Sequence, residues 1–143
     1  MTHDPAPVRH HREEYDQGLR NPTEDIFGVD RPWGEFRQFV SNETVTVKII
    51  TVQPGHRLSL QRHDHRGEMW HVLDVPIDVQ VDDATWQAKV GETVWVPRGA
   101  VHRMGNSGTA PGRLLEVGFG FFDEADIERF EDDYARHDEP AED

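Results

Sequence analysis

Short runs of β-branched and apolar residues, each ended by a turn, constrain the fold of this 143-residue chain more than any other feature. Six such runs stand out, over residues 45–52, 69–73, 77–81, 85–90, 93–96 and 113–119. Glycine, proline or small polar residues separate them, and none of the runs is long enough to favour a helix. Many short strands at this spacing predict an all-β fold, either a sandwich or a barrel.

One segment near the C-terminus follows a different period. Asp123 could cap a helix, and Ile127, Phe130 and Tyr134 then fall at positions i, i+3 and i+7 of one helical face. The sequence therefore predicts a short C-terminal helix whose apolar stripe packs against the strands.

The length of the chain fits one domain with its own core. Residues 1–25 hold few apolar side chains and residues 139–143 are mostly acidic, so we expect a flexible N-terminal arm, a domain over residues 26–138 and an acidic tail. No apolar run approaches the ~18 residues of a membrane span, and the N-terminus lacks the apolar stretch of a secretory signal. A cytoplasmic location is the resulting expectation.

The charge of the chain narrows its partners. With 28 acidic and 15 basic residues the formal net charge is −13, which repels nucleic acid and anionic membranes, and we expect neither as a partner. The chain has no cysteine, so a metal ion would have to be held by histidine, carboxylate or amide groups.

Three of the nine histidines lie where metal chemistry is expected. His63 and His65 would project from the same face of a strand and could bind one ion together. Glu68 follows at a spacing that would turn it to the other face unless a bulge redirects it. Residues 91–106 read G-x5-P-x-G-x2-H-x3-N, in which glycines and a proline form a tight turn before His102. A barrel could bring that histidine opposite the earlier pair.

These two segments resemble the two metal-binding motifs of the cupin superfamily, the second in full and the first less regularly, with Val75 at a usual glycine position. A longer series of motifs resembles the isomerase domain of type II phosphomannose isomerases. The matching segments are residues 31–34, 47–48, 58–61, 63–70, 102–103, 115–117 and 124–136. In that family the isomerase domain usually follows a mannose-1-phosphate guanylyltransferase domain, whose glycine-rich nucleotide loop has no counterpart in this sequence.

The chain departs from the family pattern at the rim of the expected site. Asp64 stands where a histidine is frequent, Met69 replaces a histidine, and Gly67 replaces a small alanine or serine. Such changes could alter the substrate or weaken the activity.

The resemblance implies a cupin barrel, that is, a double-stranded β-helix or jelly roll. It also implies metal-dependent interconversion of mannose 6-phosphate and fructose 6-phosphate through an enediol. One divalent ion would be held by His63, His65 and His102, with Glu68 or Gln61 completing the shell. Zn, Mn, Fe, Co and Ni all remain candidates for nitrogen and oxygen ligands.

Five further residues are candidates for the proton transfer and for the phosphate group. Lys48 and Glu116 are ionisable residues inside apolar strands, which favours a position facing a cavity. Together with Arg136 they are the predicted catalytic residues. Arg57 and Arg66 are predicted to bind the substrate, because the guanidinium group can grip a phosphate with two hydrogen bonds.

Two other functions remain open at this point. The chain could be another metal-dependent cupin enzyme, such as a dioxygenase or an epimerase, because the fold hosts many reactions. It could also be a non-catalytic module that binds a sugar or a metal. A homodimer is expected, because pairing of sheet edges or exchange of strands would cover the edges of an open barrel.

Overall fold

The computed structural model describes residues 20–134. Eleven strands and one short 3-10 helix account for its regular structure. They are the 3-10 helix Pro22–Asp25 and the strands β1 Phe27–Arg31, β2 Gly34–Gln38, β3 Val45–Val52, β4 Leu60–Arg62, β5 Arg66–Val72, β6 Ile77–Val81, β7 Ala84–Ala88, β8 Thr93–Val96, β9 His102–Gly105, β10 Gly112–Gly120 and β11 Glu128–Glu131. The predicted all-β class is therefore confirmed.

Two antiparallel sheets enclose the core. One has the strand order β3-β10-β5-β8 and the other the order β11-β4-β9-β6-β7, while β1 and β2 form a separate hairpin. Trp70 and Leu114 from the first sheet pack against Ile77 and Met104 from the second, and all four are buried. Hydrogen bonds do not join the two sheets into a closed barrel, so the fold is an open jelly roll.

The predicted strands agree with the structure where the sequence alternates clearly. The runs 45–52, 77–81 and 93–96 coincide with β3, β6 and β8, and the other three runs are displaced by up to three residues at their ends. The strands β1, β2, β4, β9 and β11 were not predicted.

The prediction of a C-terminal helix is wrong. Asp123 forms a turn instead, in which its Oδ1 accepts the N–H of Ala125 and its carbonyl accepts the N–H of Asp126, each at 2.9 Å. The chain then continues as β11, which pairs with β4. Phe130 and Tyr134 are exposed by 43% and 46%, so the apolar stripe that suggested a helix is not buried.

The structure covers only part of the predicted terminal segments. Residues 20–25 of the predicted arm are described, and Pro22 there is buried in the 3-10 helix. The acidic tail 139–143 lies outside the described residues. Within residues 20–134 no helix has the length and hydropathy that crossing a membrane would require. The strand β3 is a sheet edge with exposed Val47 and Ile49, and the homodimer stays a prediction.

Gly67 lies in contact distance of the indole ring of Trp95. A Cβ atom at position 67 would stand 2.3 Å from Cη2 of Trp95, and the ring would have to move. We expect Gly67→Ala to lower the free energy of unfolding by about 1–3 kcal/mol, measured by urea denaturation. Gly28→Ala is the matched control, because a Cβ there meets only the carbonyl of Phe36 at 3.6 Å. Equal stability of the two variants would contradict this account.

Candidate metal centre

Three buried side chains, His63, Glu68 and His102, bring their ligand atoms within 4.8 Å of one another. Nε2 of His63 lies 3.4 Å from one carboxylate oxygen of Glu68, and Nε2 of His102 lies 3.6 Å from the other. For ligand bonds of about 2.1 Å these separations correspond to angles of about 110–120° at a shared ion. The three side chains can therefore coordinate one divalent cation.

Main-chain carbonyls fix the orientation of both imidazoles. Nδ1 of His63 lies 2.8 Å from the carbonyl oxygen of Asp126, and Nδ1 of His102 lies 3.0 Å from that of Ala100. A carbonyl can only accept, so each Nδ1 donates its proton. In the neutral ring this leaves the lone pair on Nε2, the atom that faces Glu68. The hydrogen bonds at Nδ1 thus orient both histidines to act as ligands through Nε2.

The prediction that His63 and His65 share one face of a strand is wrong. Residues 63–65 form a bend between β4 and β5. The carboxylate of Asp126 holds this bend, accepting the N–H groups of Asp64 and His65 at 2.9 Å each. The structure leaves His65 exposed and outside the cluster. The alternation of inward and outward side chains is interrupted at the bend, so counting from His63 does not predict which way Glu68 points. Glu68 faces inward, and β5 keeps a regular register with β10.

The carboxylate of Glu68 stands among several charged and polar groups. Burial alone would raise the pKa of Glu68, but the charges of His102 and His63 when these are protonated, the guanidinium of Arg66 and a hydrogen bond with Glu116 outweigh burial and lower the pKa to about 2. Glu68 is thus ionised at neutral pH, as a ligand of a divalent cation has to be.

Gln61 offers a fourth donor group beside the cluster. It is buried on β4, where it pairs with His102 in the register of β9. Its Oε1 atom is buried without a hydrogen-bond partner, and Gln61, Glu68, His102 and Glu116 line one cavity that is too narrow to admit a water molecule. A buried amide oxygen left unpaired in a native structure needs an explanation, and a bound ion would supply one. The donor set therefore fits a divalent cation.

The structure places the two predicted strand residues close to this cluster. Glu116 lines the cavity, forms a hydrogen bond with Glu68 and pairs with Lys48 in the register of β10 and β3. The Nζ atom of Lys48 lies 4.5 Å from the centre of the Phe122 ring, and Cζ of Arg66 lies 4.2 Å from the same centre. The ring of Phe122 therefore contacts the charged groups of both Lys48 and Arg66 beside the ligands, and nothing in the sequence pattern indicated this role.

The predicted arginines have three different outcomes. Arg57 is exposed and forms a two-point ion pair with Asp133, along a separate groove of about 560 Å³ that does not include the ligands. Arg66 is buried and lies among the ligands. Arg136 lies outside the described residues. Asp126, which positions the bend, was missed because its segment was predicted to be helical.

A jelly roll with two histidines and a glutamate in one buried cluster defines the chain as a cupin-type domain, as predicted. The fold is similar to the crystal structure of a sugar phosphate isomerase of the cupin superfamily from Silicibacter pomeroyi, with a TM-score of 0.50 and 24% identity over 54% of this chain and 51% of that chain. The chain belongs to the family described as mannose-6-phosphate isomerase C-terminal, whose profile matches residues 20–132.

Curated relatives support the same family. The chain is 40% identical over 135 residues to the alginate biosynthesis protein AlgA of Pseudomonas aeruginosa, covering 94% of this chain and 28% of that protein. It is 39% identical over 109 residues to the mannose-1-phosphate guanylyltransferase ManC of Salmonella typhimurium, covering 76% of this chain and 23% of that protein. The chain thus spans about a quarter of the length of these relatives.

Proposed function

We propose that this chain is a metal-dependent aldose–ketose isomerase that interconverts mannose 6-phosphate and fructose 6-phosphate. The observation that carries the proposal is the buried cluster of His63, Glu68 and His102, with a second carboxyl, Glu116, hydrogen-bonded to it. Membership of the mannose-6-phosphate isomerase C-terminal family supports the choice of substrate.

The ion would be held by His63, Glu68 and His102, and we assign Oε1 of Gln61 as a fourth donor. When bound, a divalent ion polarises the carbonyl and hydroxyl oxygens at C1 and C2 and stabilises the charge of the enediol. All four donors are nitrogen or oxygen, so Zn, Mn, Fe, Co and Ni remain candidates.

Glu116 is the group we assign to the proton transfer. Its hydrogen bond to the ionised Glu68 requires a proton on Glu116, so this carboxyl holds a proton at the edge of the cavity. In its ionised form the same carboxyl would take the proton from C2 of the aldose and return it to C1. Lys48 faces Glu116 in the register of β3 and β10 and would stabilise that ionised form.

The cavity has to open for such a substrate. It does not admit even a water molecule, whereas small-molecule pockets begin at ~300 Å³. Side chains around the ligands must therefore move before a hexose phosphate can bind. Both the ion and the sugar phosphate are thus proposed to bind to a rearranged form of this site.

Removal of the metal provides the direct test. After dialysis against EDTA we expect conversion of mannose 6-phosphate to fall by more than about 100-fold, and one of the five ions should restore it. Glu116→Gln still donates to Glu68 but cannot take a proton, so kcat should fall by about 10²–10⁴ with little change in metal affinity. Full turnover by the metal-free protein would contradict the proposal. Metal binding without turnover of any hexose phosphate would favour a non-catalytic module.

A further inference from the structure

Arg66 brings a full positive charge into the place where an ion would be bound. Its Nε donates to Glu68 at 3.0 Å, and its Nη2 lies 3.2 Å from Nε2 of His63. A guanidinium group can only donate hydrogen bonds, so Nη2 uses the lone pair that His63 would offer to a metal. With 1% of its surface exposed, Arg66 is as buried as the ligands themselves. Two of the three ligands are therefore engaged by an internal cation.

The chain after β10 holds this guanidinium in position. Its Cζ atom lies 4.2 Å from the centre of the Phe122 ring, and Nη1 donates to the carbonyl of Asp123 at 3.4 Å. Gly118 of β10 adjoins both neighbours, since a Cβ there would be in ordinary van der Waals contact with Cδ of Arg66 and with Cδ2 of Phe122, each at 3.8 Å. The position of Arg66 is thus built by several elements.

We infer that Arg66 is a resident cation of the site, which neutralises the ligands in the absence of metal and has to leave them when a divalent ion binds. The inference rests on the proposed metal centre and adds to it. Binding of the ion breaks two charge-assisted hydrogen bonds, and two positive charges a few ångströms apart repel each other strongly in a buried site. The chain therefore binds metal more weakly than its ligands alone would allow. In the metal-free protein Arg66 is a positioning residue for the ligands rather than a phosphate contact.

Titration with Co²⁺ tests this inference without any measurement of turnover. The signals are the visible absorption of Co²⁺ and the fluorescence of Trp70, whose Nε1 donates to Glu68 at 3.1 Å and whose ring meets that of His102 edge-on at 5.6 Å. We expect Arg66→Met to lower the Kd for Co²⁺ at least about tenfold, the effect of losing one charge-assisted bond. Arg62→Met removes the same charge from a half-exposed ion pair with Glu128 and should change the Kd by less than about threefold.

The outcomes separate the inference from the proposed function. If the natural chain binds no Co²⁺, the proposed metal centre itself fails. If it binds Co²⁺ and Arg66→Met binds with equal or lower affinity, the inference is overturned. Should Arg66→Met not fold, Phe122→Ala is the deciding variant. It removes the ring that holds the guanidinium in place but keeps the positive charge of Arg66 in the site to balance the charge of Glu68. A higher Co²⁺ affinity of Phe122→Ala supports the inference, and an unchanged or lower affinity rejects it.

Discussion

His102→Ala should lower the affinity for a divalent ion by more than about 100-fold, whereas His65→Ala should leave it within about twofold. His102 is buried with Nε2 3.6 Å from Glu68, and its Nδ1 is fixed by Ala100. Loss of a residue that hydrogen-bonds to a metal ligand typically lowers metal affinity by ~10–100-fold, so loss of a ligand itself should lower it further. The side chain of His65 is exposed and stands outside the cluster.

Calorimetric titration with Zn²⁺ on both variants and on the natural chain measures this contrast. The two substitutions remove the same side chain, so His65→Ala is a matched control for the loss of an imidazole. Urea denaturation of the metal-free proteins shows whether the void left by His102→Ala has unfolded the domain. Equal losses of affinity in the two variants would show that the bend at residues 63–65 rearranges to bring His65 onto the ion. The ligand set would then be the one that the family resemblance implied.

The strands that could be predicted are those that face the apolar core on one side. In β6 and β8 the buried positions are apolar, and β3 is marked by its run of β-branched residues although Lys48 faces inward, so the bounds of these strands follow from the sequence. The strands β4 and β9 were missed because their inward positions carry Gln61 and His102, which belong to the site. Where a strand carries polar site residues at its inward positions, the alternation of apolar and polar residues that marks a strand is lost.

The C-terminal segment was misjudged for a different reason. Its spacing of Ile127, Phe130 and Tyr134 fits a helix, but Asp123 is used for a turn and β11 gains a hydrogen-bonded partner in β4. Pairing with a strand distant in sequence outweighs a local helical pattern, and no local pattern reveals it. The same segment carries Asp126, so the residue that orients His63 could not be predicted either.

The site could be predicted as a set of residue types but not as a geometry. The tight turn before His102 was visible in its glycines and proline, and that histidine lies in the cluster. Glu68 was placed in doubt by an argument from strand parity, which fails because the chain bends at residues 63–65. Arg66 could be recognised as a cation, but its burial beside Glu68 depends on packing by Phe122.

Asp126→Ala is expected to weaken metal binding by about 10–100-fold although Asp126 is not a ligand. Its carboxylate accepts two N–H groups of the bend, from Asp64 and His65, and its carbonyl accepts Nδ1 of His63. Removing the carboxylate leaves the bend without these two bonds, so the carbonyl of residue 126 is less firmly positioned against Nδ1 of His63 and Nε2 is held less firmly toward Glu68. Bonds to a charged acceptor contribute about 1.5–3 kcal/mol when buried and less at this half-exposed position, so we expect stability to fall by about 1–3 kcal/mol.

Two further variants decide whether Asp126 acts on the metal or only on stability. Asp126→Asn keeps one acceptor oxygen and loses the other, so its metal affinity should fall between those of the natural chain and Asp126→Ala. Asp78→Ala is the matched control, because its carboxylate also accepts a main-chain N–H, from Ser107 at 2.9 Å, away from the ligands. It should lose comparable stability and keep its metal affinity. If Asp126→Ala behaves like Asp78→Ala in both measurements, then Asp126 stabilises the bend without orienting His63.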